Sequence, residues 1–100
     1  MPKAITKQEI TTLQEGPAAL QLIDIRTPEE FERQHVPGSA NIPSDQLDGA
    51  ATALDRSTTL VCICNKGHER SQRAAELLNN KGFEQAYYLE GGVAGWFAAQ

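Results

Sequence analysis

Thr58-Thr59-Leu60-Val61-Cys62-Ile63-Cys64-Asn65-Lys66-Gly67-His68-Glu69-Arg70-Ser71 passes from an apolar run, through a polar segment with one glycine, into a helical pattern. Leu60 to Cys64 reads as a buried strand, and the helix from Ser71 to Lys81 places Ala74, Ala75, Leu77 and Leu78 on one side. The start of a helix leaves its first amide hydrogens without carbonyl partners and carries the positive end of the helix dipole. A thiolate and an anionic substrate are both stabilised in such a place. The backbone amides from Asn65 to Arg70 supply donors, Gly67 lets the chain turn, and Lys66 and Arg70 add positive charge. A free thiol titrates at about 8.5 and falls in such surroundings, so Cys64 is the candidate nucleophile. The plainer reading of Cys64 is a packing residue at a strand end. His68 is either an acid or base titrating near neutrality or an exposed bystander, and Glu69 either a catalytic acid or a partner for Arg26, Arg70 or Arg73.

Outward from this segment, strands and helices alternate. Thr6 and Glu9 form a capping box for a helix to Glu15, with Ile5 and Ile10 placed as a hydrophobic staple and Gly16-Pro17 as its stop. Leu20 to Ile25 reads as a strand, and Thr27-Pro28-Glu29-Glu30 opens a short helix through a second capping box. Ala40 to Ile42 is a brief strand, followed by a helix from Ser44 or Asp45 to about Leu54. Gly82 suits a left-handed cap with Phe83 touching Leu78, Ala86 to Leu89 is the last strand, and Gly91-Gly92 turns into a helix from Val93 to Ala98. Such alternation predicts an α/β fold: a small, mostly parallel sheet with helices on both faces, and ligands beyond the carboxyl ends of its strands.

Composition sets the outer bounds. One hundred residues, 40 % hydrophobic and 22 % charged, make one globular domain, residues 1–100. Thirteen acidic against nine basic residues give a formal charge of -4, which argues against nucleic acid and anionic lipid as partners. No stretch has the apolar length of a membrane span, and Met1-Pro2-Lys3-Ala4-Ile5 has no leader pattern, so the expected location is cytoplasmic and the expected state monomeric. Cys62 and Cys64 are too few for a disulfide framework, and on one strand they point to one face at a spacing that would strain a mutual bridge. Cys62 is read as a buried small hydrophobe. Two cysteines and two distant histidines give no zinc spacing, and no dinucleotide fingerprint is present, so neither metal nor cofactor is expected.

Ordered motifs along the chain resemble the rhodanese-like family, specifically its single-domain sulfurtransferases. Leu22-Ile23-Asp24-Ile25-Arg26, Glu29-Glu30-Phe31 and His35-Val36-Pro37-Gly38-Ser39-Ala40 are similar to its first signature. Cys64 to Ala75 is similar to its active loop and helix, and Leu89-Glu90-Gly91-Gly92-Val93-Ala94-Gly95-Trp96 to its closing signature. The resemblance implies a persulfide on Cys64, formed from thiosulfate or another small sulfur-containing anion and passed to cyanide or to a thiol or protein acceptor. It implies that Asn65, Lys66, Gly67, His68, Glu69 and Arg70 bind the substrate, through their amides and the Arg70 guanidinium. Asp24 and Arg26 are expected to pair and cap near the sheet end, His35 to fix the Pro37-Gly38 turn, and Trp96 to belong to the core. One departure stands out: the family loop usually has six residues, and Cys64 to Arg70 has seven, giving C-x5-R. That length resembles the cell-cycle phosphatases and some arsenate reductases of this fold, although Ile63 stands where such phosphatases carry histidine and Gly67 keeps the sulfurtransferase position. A non-catalytic binding or regulatory module is the third reading.

Overall fold

The computed structural model describes residues 2–98. In chain order these form β1 (Lys3–Ile5), α1 (Lys7–Glu15), β2 (Leu20–Asp24), α2 (Pro28–Arg33), β3 (Ser39–Asn41) and α3 (Ser44–Ala50). A 3-10 turn at Ala51–Ala53, β4 (Thr59–Ile63), α4 (Glu69–Asn80), β5 (Ala86–Leu89) and α5 (Gly92–Ala98) complete the order. The strands make one five-stranded sheet in the order β1-β5-β4-β2-β3, every pairing parallel. Its two faces are the two halves of the core. Leu60, Cys62 and Cys64 of the β4 segment join Ile23, Leu47, Ala74, Ala75, Leu78 and Phe83 on the α3/α4 side. Val61 and Ile63 alternate onto the other face with Ile5, Ile10, Leu22, Leu89 and Val93, under α1 and α5. The strict period of two along β4, apolar on both sides, is what a central parallel strand requires.

Local chemistry sets the boundaries. Both capping boxes close as their residues predict: the Thr6 hydroxyl accepts the Glu9 amide and the Thr27 hydroxyl the Glu30 amide, each carboxylate reaching back to its own cap. At the end of α4, Gly82 takes φ +99° and the Phe83 amide donates to the Leu78 carbonyl at 3.0 Å, which seats Phe83 against Leu78 in the core. Several boundaries differ from the sequence-based expectation. β1 has no counterpart in it, because three residues before a capping box carry no periodicity; pairing with β5 makes them a strand. α3 gives way to a 3-10 turn after Ala50. α4 starts at Glu69, two residues before Ser71, because the loop closes at His68. His35 does not fix the Pro37-Gly38 turn: its ring stacks on Phe31 at 3.8 Å and Nδ1 donates to the Phe31 carbonyl. The turn is closed instead by Ser39, whose amide and hydroxyl both donate to the Val36 carbonyl. Trp96 is only partly buried, with the Lys7 ammonium 4.9 Å from its ring centroid.

Two features fix the carboxyl end of the sheet. Between β2 and β4 the strand order reverses, leaving the crevice in which α/β sheets hold ligands. On the β2 side, Asp24 is fully buried and its carboxylate accepts from the Arg26 backbone amide at 3.0 Å and from Nε and Nη2 of the Arg26 guanidinium. Asn41 Nδ2 donates to the carbonyls of both residues. On the β5 side, Gly92 at φ +60° lies against the loop after β4; a Cβ there would meet the Cys64 carbonyl oxygen and come within 2.6 Å of the Asn65 carbonyl. Gly67 at φ +73° reciprocates, since a Cβ on it would lie 2.6 Å from the Gly91 amide nitrogen and from the Leu89 carbonyl oxygen. Glycine is needed at both positions for space as well as for conformation.

Gly92→Ala combines a left-handed alanine with backbone overlap, and is expected to cost about 2 to 4 kcal/mol in chemical denaturation. Asp24→Ala strands a buried guanidinium and should cost about 3 to 5 kcal/mol. Asp48→Ala, which removes the partner of Lys81 at the surface, should change stability by less than about 1 kcal/mol in the same assay.

Candidate active site

Cys64 is the residue after the last of β4, and its side chain forms the floor of a hollow of about 300 Å³ bordered by Asn65, Lys66, His68, Glu69 and Arg70. The residue is only 2 % exposed. Burial by itself pushes a thiol up in pKa, yet the Cys64 thiol is held below its ordinary value. The opposing contributions are hydrogen bonds from the Ser71 hydroxyl and from the backbone amides of Ser71, Gly67 and His68. Cys62 is the contrast two residues earlier: fully buried, with Cys64 as a neighbouring negative charge, its thiol is pushed up to about 12. Neither forms a disulfide.

Ser71 escaped the sequence reading. It is fully buried in the first turns of α4, with Oγ 3.1 Å from Cys64 Sγ and 3.3 Å from the His68 carbonyl. The neutral thiol donates to Ser71 Oγ while the hydroxyl donates to His68; on ionisation the hydroxyl can turn its proton to the sulfur. The available signal was a small hydroxyl residue seven positions after the cysteine, at a helix start, and such residues occur at helix starts for capping alone.

The first two carbonyls of the loop are bonded to a neighbouring helix. Val93 and Ala94, at the start of α5, donate their amides to the carbonyls of Cys64 and Asn65, each at 2.9 Å. With those carbonyls occupied, the following amides are free to converge on one side. Gly67 is buried against Gly91 and Gly92, and its carbonyl accepts from the Gln72 side chain. Lys66 and His68 are exposed at the rim, His68 as the N-cap of α4 without a side-chain capping bond. Glu69 pairs with Arg73 at 3.3 Å, both largely exposed, an ordinary surface pair one helical turn apart.

Asn65 and Arg70 turn toward α2. Asn65 Oδ1 accepts from Arg26 Nη1 at 3.0 Å and Nδ2 donates to Glu30 Oε2 at 3.2 Å, so the first loop residue bridges the crevice to the buried Asp24–Arg26 pair. Arg70 Nη2 reaches Glu30 Oε1 at 3.4 Å. Arg70 borders the hollow, and the amides and Ser71 provide the stabilisation of Cys64 identified above. The loop thus brings Cys64, the amides of Gly67, His68 and Ser71, and the Ser71 hydroxyl to one point, with Lys66, His68 and Arg70 around the rim. Among the described residues, no group of three or more His, Cys, Asp and Glu side chains is arranged to hold a metal, and no helix is long and apolar enough to cross a membrane.

The rhodanese-like domain family model matches residues 6–99. A thiosulfate sulfurtransferase, GlpE, of Stutzerimonas stutzeri is 37 % identical over 79 residues, covering 79 % of this chain and 72 % of that protein. The GlpE of Pseudomonas aeruginosa is 34 % identical over 92 residues, covering 92 % and 81 %. Among solved structures, a rhodanese-related protein of Thermoplasma volcanium superposes with a TM-score of 0.83 at 27 % identity, over 96 % of this chain and 91 % of that one. A single-domain sulfurtransferase of Saccharomyces cerevisiae gives 0.79 at 27 % identity, over 98 % and 90 %. With the family match running across both core faces, the reversed strand order and the loop after β4, the chain belongs to the rhodanese-like domain family.

Proposed function

We propose that the protein is a sulfurtransferase that carries sulfane sulfur as a persulfide on Cys64, taking it from thiosulfate or a similar anion and giving it to cyanide or a thiol acceptor. The observation that carries the reading is the convergence of Ser71 and three loop amides on a buried Sγ whose pKa is lowered despite burial. A thiolate there attacks the outer sulfur of thiosulfate. A new S–S bond forms to Cys64, the bond from the outer sulfur to the sulfonate sulfur breaks, and its electron pair leaves with sulfite. The persulfide carries its negative charge on the terminal sulfur, in the hollow lined by the loop, where preorganised amides stabilise it. The acceptor then attacks that terminal sulfur, and the Cys64 thiolate departs as the leaving group, returning to its Ser71 and amide bonds. Stabilising this thiolate therefore assists the second transfer as leaving-group stabilisation, while tempering its nucleophilicity in the first.

The residues expected to bind substrate divide by role in this reading. Gly67 and His68 act through their amides, Asn65 holds the loop by its side chain, and Lys66 and Arg70 supply charge at the rim. Glu69, paired with Arg73 in solvent, contributes through its place in the first helical turn. Phosphate or arsenate chemistry draws less support. Ile63 stands where such phosphatases carry histidine, and the named bacterial relatives are thiosulfate sulfurtransferases.

Incubation with thiosulfate should add one sulfur atom to the intact mass, and cyanide should remove it. Cys64→Ser should not load, whereas Cys62→Ser should; loading of both variants, or of neither the variants nor the parent protein, overturns the assignment. Ser71→Ala should shift the pH profile of Cys64 alkylation to higher pH, since it removes a hydrogen bond to the charged form. It should also slow turnover by about ten- to a hundredfold, the worth of one bond to a charged group. An unmoved alkylation profile would leave the amides as sufficient.

A further inference from the structure

Glu30 stands beside the Cys64 hollow, held by contacts that do not involve the sulfur. Its Oε1 accepts the Thr27 amide at 3.0 Å and the Thr27 hydroxyl at 3.1 Å, closing the α2 capping box, while Oε2 accepts from Asn65 Nδ2. Asn65 is in turn fixed by Arg26, whose guanidinium is buried against Asp24. The Thr27 backbone bond holds the Glu30 carboxyl below its ordinary range, against partial desolvation and with help from Arg70, so the group is anionic at neutral pH. The carboxylate is therefore a fixed negative charge at the site.

Its partner Arg70 is the more exposed member. The two side chains are 46 % and 27 % exposed, for Arg70 and Glu30 respectively, and meet through one long contact of 3.4 Å. An exposed pair of that kind is weak. Arg70 also borders the cavity that Cys64 lines, so the same long side chain that meets Glu30 stands at the hollow where an oxyanion would bind. A dianion offers stronger, shorter, two-point bonds to a guanidinium than Glu30 has in this arrangement.

We propose that Glu30 is a specificity-determining residue: its carboxylate competes with the anionic donor for the Arg70 guanidinium. The inference rests on the reading of the loop as an anionic donor site, and it adds a charge filter to that reading. A doubly charged donor recruits Arg70 from Glu30, whereas a neutral or weakly charged one leaves the pair intact and gains nothing from it. When the sulfonate-derived anion leaves, the pair re-forms and the guanidinium no longer holds the product. Glu30 thus lowers the affinity for oxyanions in both directions, weakening retention of product as well as binding of donor.

Glu30→Gln tests this, because glutamine serves equally at the third position of a capping box and keeps α2 capped. Two readouts are used: the KM and kcat for thiosulfate with cyanide as acceptor, and the sulfate concentration that half-protects Cys64 from iodoacetamide. Expected in Glu30→Gln is a fall of about two- to fivefold in both the thiosulfate KM and the half-protective sulfate concentration, the size of an exposed ion pair, with a smaller change in kcat. In an Arg70→Ala background the same substitution should move neither quantity. Unchanged or weaker sulfate protection in Glu30→Gln overturns the proposal. So does an equal effect in the Arg70→Ala background, which would place the cause in the Asn65 contact or in direct repulsion between the carboxylate and the anion. Sulfate protection needs no sulfur transfer, so a protein that fails to load sulfur from thiosulfate would refute the proposed activity while leaving this comparison to decide the role of Glu30.

Discussion

A loop that turns several N–H groups toward one sulfur must send its carbonyls elsewhere, and the rest of this structure serves that requirement. The carbonyls of Cys64 and Asn65 are taken by the amides of Val93 and Ala94, which are spare only because α5 begins there. Gly92 allows the two backbones to meet, and Gly67 allows the loop to lie against Gly91 in return. β5 and α5 are therefore part of the site although neither contributes a functional side chain. The sheet order makes this contact possible by placing β5 beside β4, so that the turn after β5 and the loop after β4 emerge side by side.

The electrostatics follow from the same geometry. A buried thiol should be a poor acid, and Cys62, enclosed within β4 two residues before Cys64, is one. Cys64 opens on the hollow and receives hydrogen bonds to its charged form, whereas Cys62 is enclosed and lies beside the Cys64 charge. Each such bond is worth roughly 1.5 to 3 kcal/mol, so a few can outweigh a partial desolvation penalty. Fixed amides have a further advantage over mobile lysine or arginine side chains: they lose little conformational freedom when an anion forms and require no reorganisation. An overall acidic protein can in this way stabilise an anion without a large basic patch.

Much of this was legible in the sequence, and what was not has physical causes. The α/β alternation, the central strand, both capping boxes and the Gly82 cap were readable because each rests on local rules of period and hydrogen bonding. β1 was not, because Lys3 to Ile5 becomes a strand only through its pairing with β5. The cysteine and its loop were visible as a motif, but the groups that organise them were not. Ser71 touches the sulfur through the curl of the loop, the side chain of Asn65, expected only as a substrate contact, reaches Arg26 across a crevice, and Gly92 meets the loop from the start of α5. All three depend on distances set by the sheet. His35 was misassigned because a histidine two residues before a Pro-Gly pair looks like a turn partner, whereas its ring found a nearer carbonyl and an aromatic face one helical turn back.

The seventh residue of the loop bears on the chemistry through where the helix starts. His68 caps α4 and Glu69 and Arg70 are already helical, while Cys64 has amide contacts from Gly67, His68 and Ser71. Arg70 is thereby carried toward α2, where Glu30 receives it. A cradle built mainly of amides suits the diffuse charge of a thiolate or persulfide, and the guanidinium at its border is placed to meet an oxyanion held beside the sulfur. In this arrangement the guanidinium assists from the rim and the amides hold the sulfur.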